Sequence, residues 1–206
     1  MRKIKFTLIL FLIGAVTHAQ NVQKYGIDTE GEIPKGLKVG DKAPGFQAKN
    51  QHEQTVKLQE ILKDQKVVVI FYRGYWCPVC SKYLKNYRDS LKHITQKGAR
   101  VIAVTPEKQQ GVQKTIDKTD AEFDILSDTH GQIMASYGVD FKVTEKYKKK
   151  IKTFLRADIA ENNNQKEARL PVPATFVIGQ DGIIDFVQFN HNYKQRASIK
   201  SILQAL

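Results

Sequence analysis

Past the N-terminus, the densest apolar run in the chain falls at 67–72, Val-Val-Val-Ile-Phe-Tyr. It is β-branched and aromatic with no polar alternation. That pattern predicts a strand buried on both faces, in the middle of a sheet with helices on each side. A tight Arg73-Gly74-Tyr75-Trp76 follows, and then Cys77-Pro78-Val79-Cys80. Pro78 suits a first helical turn. From there Cys80, Leu84, Tyr87, Leu91 and Ile94 recur at helical spacing, until Gly98 ends the helix. A second buried strand is predicted at 101–104. Thr105-Pro106-Glu107 then reads as an N-cap, a first-turn proline and an acid suited to the helix dipole, opening a helix to about Lys118 anchored by Val112 and Ile116. A short strand at 123–126 leads into Ser127-Asp128-Thr129, which caps a helix over 130–137.

The remaining segments are less regular. Residues 20–38 carry Gly26, Gly31, Pro34 and Gly36 and predict an extended arm with little core of its own. Residues 39–46 are a turn-rich start to the domain, followed by a strand near 54–58 and a brief helix near 59–62. The stretch 140–170 changes in composition. It holds the run Lys146-Tyr147-Lys148-Lys149-Lys150, a stripe of Ile151, Phe154, Leu155 and Ile159, and a polar loop at Asn162-Asn163-Asn164-Gln165. It reads as an inserted helix plus a loop, with the lysines as a solvated helix face, set to border whatever site the chain carries. A strand at 171–178, a hairpin turn at Asp181-Gly182, its partner at 183–189 and a helix over 193–206 complete the pattern. Strands alternate with helices first and a hairpin comes last, so the fold class is α/β with a mixed central sheet flanked by helices and a helical insertion before the final hairpin.

The chain has 206 residues and a formal net charge of +12. Arg2, Lys3 and Lys5, an apolar run at 6–16 and Thr17-His18-Ala19 have the order of a secretory signal peptide over 1–19, cleaved before Gln20. The organisation expected is thus a signal peptide at 1–19, an arm at 20–38 and one domain at 39–206, exported to a periplasm or secreted, with no transmembrane segment in the mature chain. Removing the leader lowers the formal charge from +12 to +9. The lysines are dispersed, as on a solubilising surface, and no nucleic-acid partner is expected. No phosphate-binding glycine loop, paired carboxylates or dinucleotide fingerprint is present, so no cofactor is expected.

Cys77 and Cys80 are the only cysteines. A two-residue gap closes too small a loop to stabilise the fold by restricting the unfolded chain. A pair at a helix N-terminus suits cycling between dithiol and disulfide, because unpaired N–H groups and the helix dipole favour a thiolate. Cys80 starts the apolar stripe and should face inward; Cys77 should be the more exposed and attack a peroxide or a disulfide, with Cys80 closing the intramolecular disulfide. Arg73 either adds a positive charge there or is an exposed turn residue.

The run Phe71-Tyr72-Arg73-Gly74-Tyr75-Trp76-Cys77-Pro78-Val79-Cys80 resembles a peroxiredoxin-like branch of the alkyl hydroperoxide reductase C/thiol-specific antioxidant (AhpC/TSA) family, within the thioredoxin superfamily. Ala43-Pro44-Gly45-Phe46, Val104-Thr105-Pro106, Leu126-Ser127-Asp128 and Pro173-Ala174-Thr175-Phe176-Val177-Ile178 fit the same family, and the resemblance covers about 39–206. It implies a thioredoxin-like fold and an antioxidant thiol peroxidase acting on hydrogen or alkyl hydroperoxides, re-reduced by a separate thiol partner. Two positions depart from the peroxiredoxin pattern. That pattern lays its peroxidatic cysteine on Cys80 and its threonine on Cys77, whereas thioredoxins make Cys77 the nucleophile. Pro173 stands where peroxiredoxins have an arginine and thioredoxins a cis-proline, so the resemblance implies a cis Val172–Pro173 bond packed against Cys77. Trp76 would flank the thiols as an apolar platform, or simply pack in the core. The alternatives are a thiol–disulfide oxidoreductase acting on protein disulfides and, for a different class, a copper-binding protein using His191.

Overall fold

A computed structural model describes residues 22–206; the expected signal peptide lies outside the described residues. Strands β1 (Gln47–Lys49) and β2 (Thr55–Lys57) form a small antiparallel hairpin ahead of helix α1 (Leu58–Ile61). The central strand β3 (Lys66–Phe71) leads to α2 (Pro78–Gln96). Strand β4 (Ala99–Thr105), α3 (Gln109–Thr119), β5 (Asp124–Ser127) and α4 (Gln132–Ser136) follow. The stretch rich in lysine contains β6 (Asp140–Lys142), α5 (Glu145–Leu155), α6 (Ile159–Asn162) and β7 (Arg169–Pro171). The hairpin β8 (Ala174–Ile178) and β9 (Ile184–Phe189) and the closing helix α7 (Ile199–Ala205) end the chain.

The main sheet has the order β5-β4-β3-β8-β9. β3, β4 and β5 are parallel; β8 runs antiparallel to β3, and β9 to β8. Val69 sits opposite Ile102 on one side and Phe176 on the other. This is the buried centre that the run at 67–72 predicts, and the absence of alternation has a direct cause. Successive side chains of a strand point to opposite faces, and both faces are covered. Val68, Ile70 and Tyr72 pack in a cluster with Leu84, Tyr87 and Ile94 of α2, whereas Val67, Val69 and Phe71 pack with Leu58, Met134, Tyr137 and Phe176. Among the described residues no helix is long and apolar enough to cross a membrane.

Several expectations are corrected. The segment 140–170 is not only a helix and a loop: its ends pair as β6 and β7, with Phe141 opposite Leu170 and Asp140 ion-paired to Arg169. The strand expected over 171–178 is two strands in two sheets, because Pro173 has no N–H to continue a ladder and Val172 donates instead to the Val139 carbonyl. No cis peptide bond occurs among the described residues, so Val172–Pro173 is trans, the lower-energy isomer of an X–Pro bond. α3 starts at Gln109 rather than at Pro106, because Glu107 is drawn into the interior and leaves no cap at Thr105. α4 starts at Gln132 after Gly131 in the left-handed region, and Asp128 still caps it by accepting from the Met134 N–H at 2.9 Å. α7 is half the length expected, since Ser198 caps it by accepting from Ser201 N–H. Residues 193–197 are therefore a loop. The arm also contributes to the core: Val22 and Ile27 are buried, and Ile27 bridges to Val143.

Candidate active site

The junction between β3 and α2 places the cysteine pair. Cys77 is the N-cap of α2, with extended backbone, and its sulfur accepts from the Cys80 N–H at 3.3 Å. Pro78 takes the first helical position, where a missing N–H costs nothing. One turn of helix brings the two Cα atoms to 5.2 Å, and Cys77 and Cys80 form a disulfide. The expectation that Cys77 is the more exposed sulfur is wrong: Cys77 is 0% and Cys80 1% exposed. Cys80 is sealed by its place in the apolar stripe of α2. Cys77 is sealed by side chains from other elements.

Arg73 is the chief of these. It is buried rather than an exposed turn residue. Its Nη2 donates to Cys77 Sγ at 3.1 Å and its Nη1 to the Tyr147 hydroxyl at 2.5 Å. Its guanidinium lies 3.7 Å from the Tyr193 ring centroid and 5.2 Å from that of Trp76. Trp76 is buried in the same core cluster as both cysteines, with the Arg73 guanidinium over its ring. Tyr147 comes from α5, so the insertion does border the site. Burial raises the Tyr147 hydroxyl above the usual tyrosine range against the pull of Arg73; a neutral hydroxyl is a suitable acceptor for that guanidinium.

A second guanidinium stands at the second sulfur. Arg196, in the loop before α7, points Nη2 at Cys80 Sγ across 3.6 Å and lies 5.5 Å from the Tyr83 ring centroid. The Tyr83 hydroxyl donates to the Ala197 carbonyl at 3.0 Å, which ties this loop to α2. Burial, then the charge of Arg73, lowers the Arg196 pKa to about 10.

Glu107 supports the motif from behind. It is fully buried, and Oε2 accepts from the Tyr75 N–H at 2.8 Å. Its Oε1 and the Trp76 Nε1 have no partner, and both lie within 2.6 Å of where a Gly74 Cβ would sit. Gly74 is thus required twice, for this approach and for its φ of +149°. Burial raises the Glu107 carboxyl to about 8.

Arg73, Trp76, Cys77, Pro78 and Cys80 are brought together as the sequence implies. Pro173 is buried just ahead of β8, two residues before Thr175, whose hydroxyl lies 3.3 Å from that of Tyr83. Arg196, Tyr193, Tyr147 and Glu107 were not expected at the site. Tyr147 had a signal, its four-residue spacing from Ile151 and Leu155, which the surrounding lysines obscured. Arg196 and Tyr193 had none, because 193–206 reads as one helix. His191 donates from Nε2 to the Pro34 carbonyl at 2.8 Å, and among the described residues no group of three histidine, cysteine or acidic side chains is placed to hold a metal.

A mixed sheet with a redox-capable cysteine pair at its strand-to-helix junction defines a thioredoxin-fold oxidoreductase. Residues 39–187 match the AhpC/TSA family, and the chain belongs to that family. A candidate peroxiredoxin of Mycobacterium tuberculosis is 27% identical over 154 residues, 75% of this chain and 86% of that protein. Peroxiredoxin Bcp of Escherichia coli (strain K12) is 29% identical over 103 residues, 50% of this chain and 65% of that protein. The crystal structure of Peroxidoxin BcpB from Mycobacterium tuberculosis shares the fold, with a TM-score of 0.63 at 21% identity over 82% of this chain and 96% of that one.

Proposed function

We propose that the protein is an exported thiol peroxidase that reduces hydrogen peroxide or alkyl hydroperoxides through Cys77 and Cys80. The observation that carries this reading is the Arg73 guanidinium, 3.1 Å from Cys77 Sγ inside a closed site. In the reduced protein the Cys77 thiolate takes the place of that disulfide sulfur. It has three sources of stabilisation: Arg73, the Cys80 N–H and the N-terminus of α2. Its attack on the near peroxide oxygen forms an S–O bond and breaks O–O. The leaving oxygen carries the electron pair away and takes a proton to become water or an alcohol. Arg73 sits where that developing charge forms. Cys80 then closes the disulfide, and a partner dithiol returns both cysteines to the reduced state. A small peroxide suits an enclosed sulfur better than a protein disulfide, which would have to displace Tyr147 and Tyr193 first.

Trp76, the only tryptophan, adjoins Cys77 and reports the reaction. Stopped-flow fluorescence of the reduced protein with hydrogen peroxide should show a fast phase that Cys77→Ser abolishes and Cys80→Ser retains. A rate no better than that of a free thiol, together with fast exchange with a protein disulfide, would move the assignment to a thiol–disulfide oxidoreductase. Export rests on the composition of residues 1–19. Sequencing the N-terminus of the protein recovered outside the cytoplasm should begin at Gln20, and recovery of the intact chain in the cytoplasm would contradict export.

A further inference from the structure

We propose that Arg196 holds the Cys80 sulfur as a thiolate in the reduced protein, so that both cysteines of the pair, each with its own guanidinium, are charged before the disulfide closes. The first ground is geometric: Nη2 of Arg196 is 3.6 Å from Cys80 Sγ, as Nη2 of Arg73 is 3.1 Å from Cys77 Sγ. The second is the missing counter-charge. Arg88, Arg100 and Arg169 each pair with a carboxylate. Among the described residues Arg73 and Arg196 pair with none, and the Nε of each is enclosed without a partner. Two guanidinium groups close enough to disfavour one another are held together, Arg73 buried and Arg196 half-buried. A buried charge without a partner is costly, and in the disulfide state the sulfurs supply only weak acceptors. Reduction supplies the anions, one for each cation.

The third ground is that Arg196 is positioned. The Tyr83 ring lies beneath its guanidinium, and the Tyr83 hydroxyl, 3.0 Å from that of Tyr87, fixes the next residue of the loop through the Ala197 carbonyl. The ionisable groups facing Arg196 and Cys80 are Tyr83 and Tyr87 of α2, Tyr193 of the same loop and Arg73. Burial keeps Tyr83 and Tyr87 above the usual tyrosine range and so neutral, which leaves Cys80 as the available anion.

The consequence concerns the second step of the proposed peroxidase cycle, on which this part rests. After peroxide has acted, Cys77 is a sulfenic acid. The Cys80 thiolate attacks its sulfur; an S–S bond forms and the S–O bond breaks. The hydroxide released takes a proton from solvent and leaves as water. The Cys77 sulfur is reduced by one electron equivalent, and the Cys80 sulfur is oxidised by one. A Cys80 that is already a thiolate needs no base.

The test titrates the thiolate by its ultraviolet absorbance in the full mature chain carrying Cys77→Ser, so that Cys80 alone reports and no peroxide is involved. Cys80 should titrate at least about one unit below the ~8.5 of a free cysteine. Adding Arg196→Gln should raise it by about one unit or more, and Arg196→Lys should recover part of the shift, since lysine keeps the charge without the fork. Arg196→Gln should move Cys77 by less than about 0.3 unit when it alone reports, in Cys80→Ser. A Cys80 that titrates at or above the free value with Arg196 intact overturns the proposal without any arginine variant having to fold. So does an unchanged Cys80 in Arg196→Gln. Failure of the peroxidase reading would show instead in the fluorescence experiment and would leave this titration standing.

Discussion

Glu107 shows how much a single position can be misjudged from its neighbours in sequence. After Thr105-Pro106 an acid reads as a helix-dipole partner. In the fold it is enclosed, with one oxygen on the Tyr75 N–H and the other free beside Trp76. Burial raises it from the usual 4.5 to about 8, against Tyr75 N–H, Lys114 and Lys118, which favour the charged form. The folded protein therefore keeps a proton that the unfolded chain gives up between those values. The associated stability is fully present below 4.5 and is lost as pH rises through 8. Glu107→Gln should remove this dependence. Between about pH 5 and pH 9, chemical denaturation should show the wild type losing on the order of a few kcal/mol more than the variant; parallel pH profiles would refute it. Arg73 was legible as a cation near Cys77, but not as a buried one, because its cover comes from Tyr147 and Tyr193, 74 and 120 positions away. Arg73→Met should slow peroxide oxidation of Cys77 by about 10²-fold, the usual effect of losing one stabilising donor. Arg73→Lys should recover only part, since a lysine cannot bridge Cys77 and Tyr147 together. An undiminished stopped-flow rate in Arg73→Met would reduce Arg73 to a packing residue.

At the scale of elements, the sequence is most readable where one pattern has one cause. β3 is apolar from Val67 to Phe71 because both faces are covered, and α2 follows its stripe from Cys80 to Ile94 with Leu91 only half-buried. α5 is less readable because two stripes compete on it. Ile151, Phe154, Leu155 and Ile159 suggest one face, yet Phe154 is 75% exposed and the inward line is Tyr147, Ile151 and Leu155. The lysines around Tyr147 gave it the look of a solvated helix face. The break between β7 and β8 was hidden by an apolar composition that continues through both strands. The two readings of α5 predict different stabilities. Ile151→Ala should cost about 2–5 kcal/mol as a cavity in the core, and Phe154→Ser should stay within about 0.5 kcal/mol of wild type. Equal losses in denaturant midpoint would mean that Phe154 is buried in solution.

For the whole molecule, the question is what governs access to a fully enclosed cysteine pair. The cover over Cys77 is assembled from three distant parts of the chain. Tyr147 comes from α5, Tyr193 from the loop before α7, and the arm packs behind both. The arm's Tyr25 ring stands edge-on to Tyr193 at 5.9 Å, and a Cβ on Gly26 would lie 2.6 Å from the Tyr147 ring. Gly26 also has φ +95°. A methyl group there must displace Tyr147, and with it the hydrogen bond to Arg73. Gly26→Ala should therefore expose the site as well as strain the backbone. Gly40 provides the comparison, because its φ is +90° and a Cβ there would meet nothing within 4 Å. Both substitutions carry the strain of a left-handed alanine, roughly 1 kcal/mol or more, but only one touches the cover. In the reduced protein, alkylation of Cys77 by a neutral reagent should be several-fold faster in Gly26→Ala than in Gly40→Ala at matched stability, because local opening sets access to a buried thiol. Equal rates in the two variants would mean that the arm stabilises the fold without governing access to the cysteines.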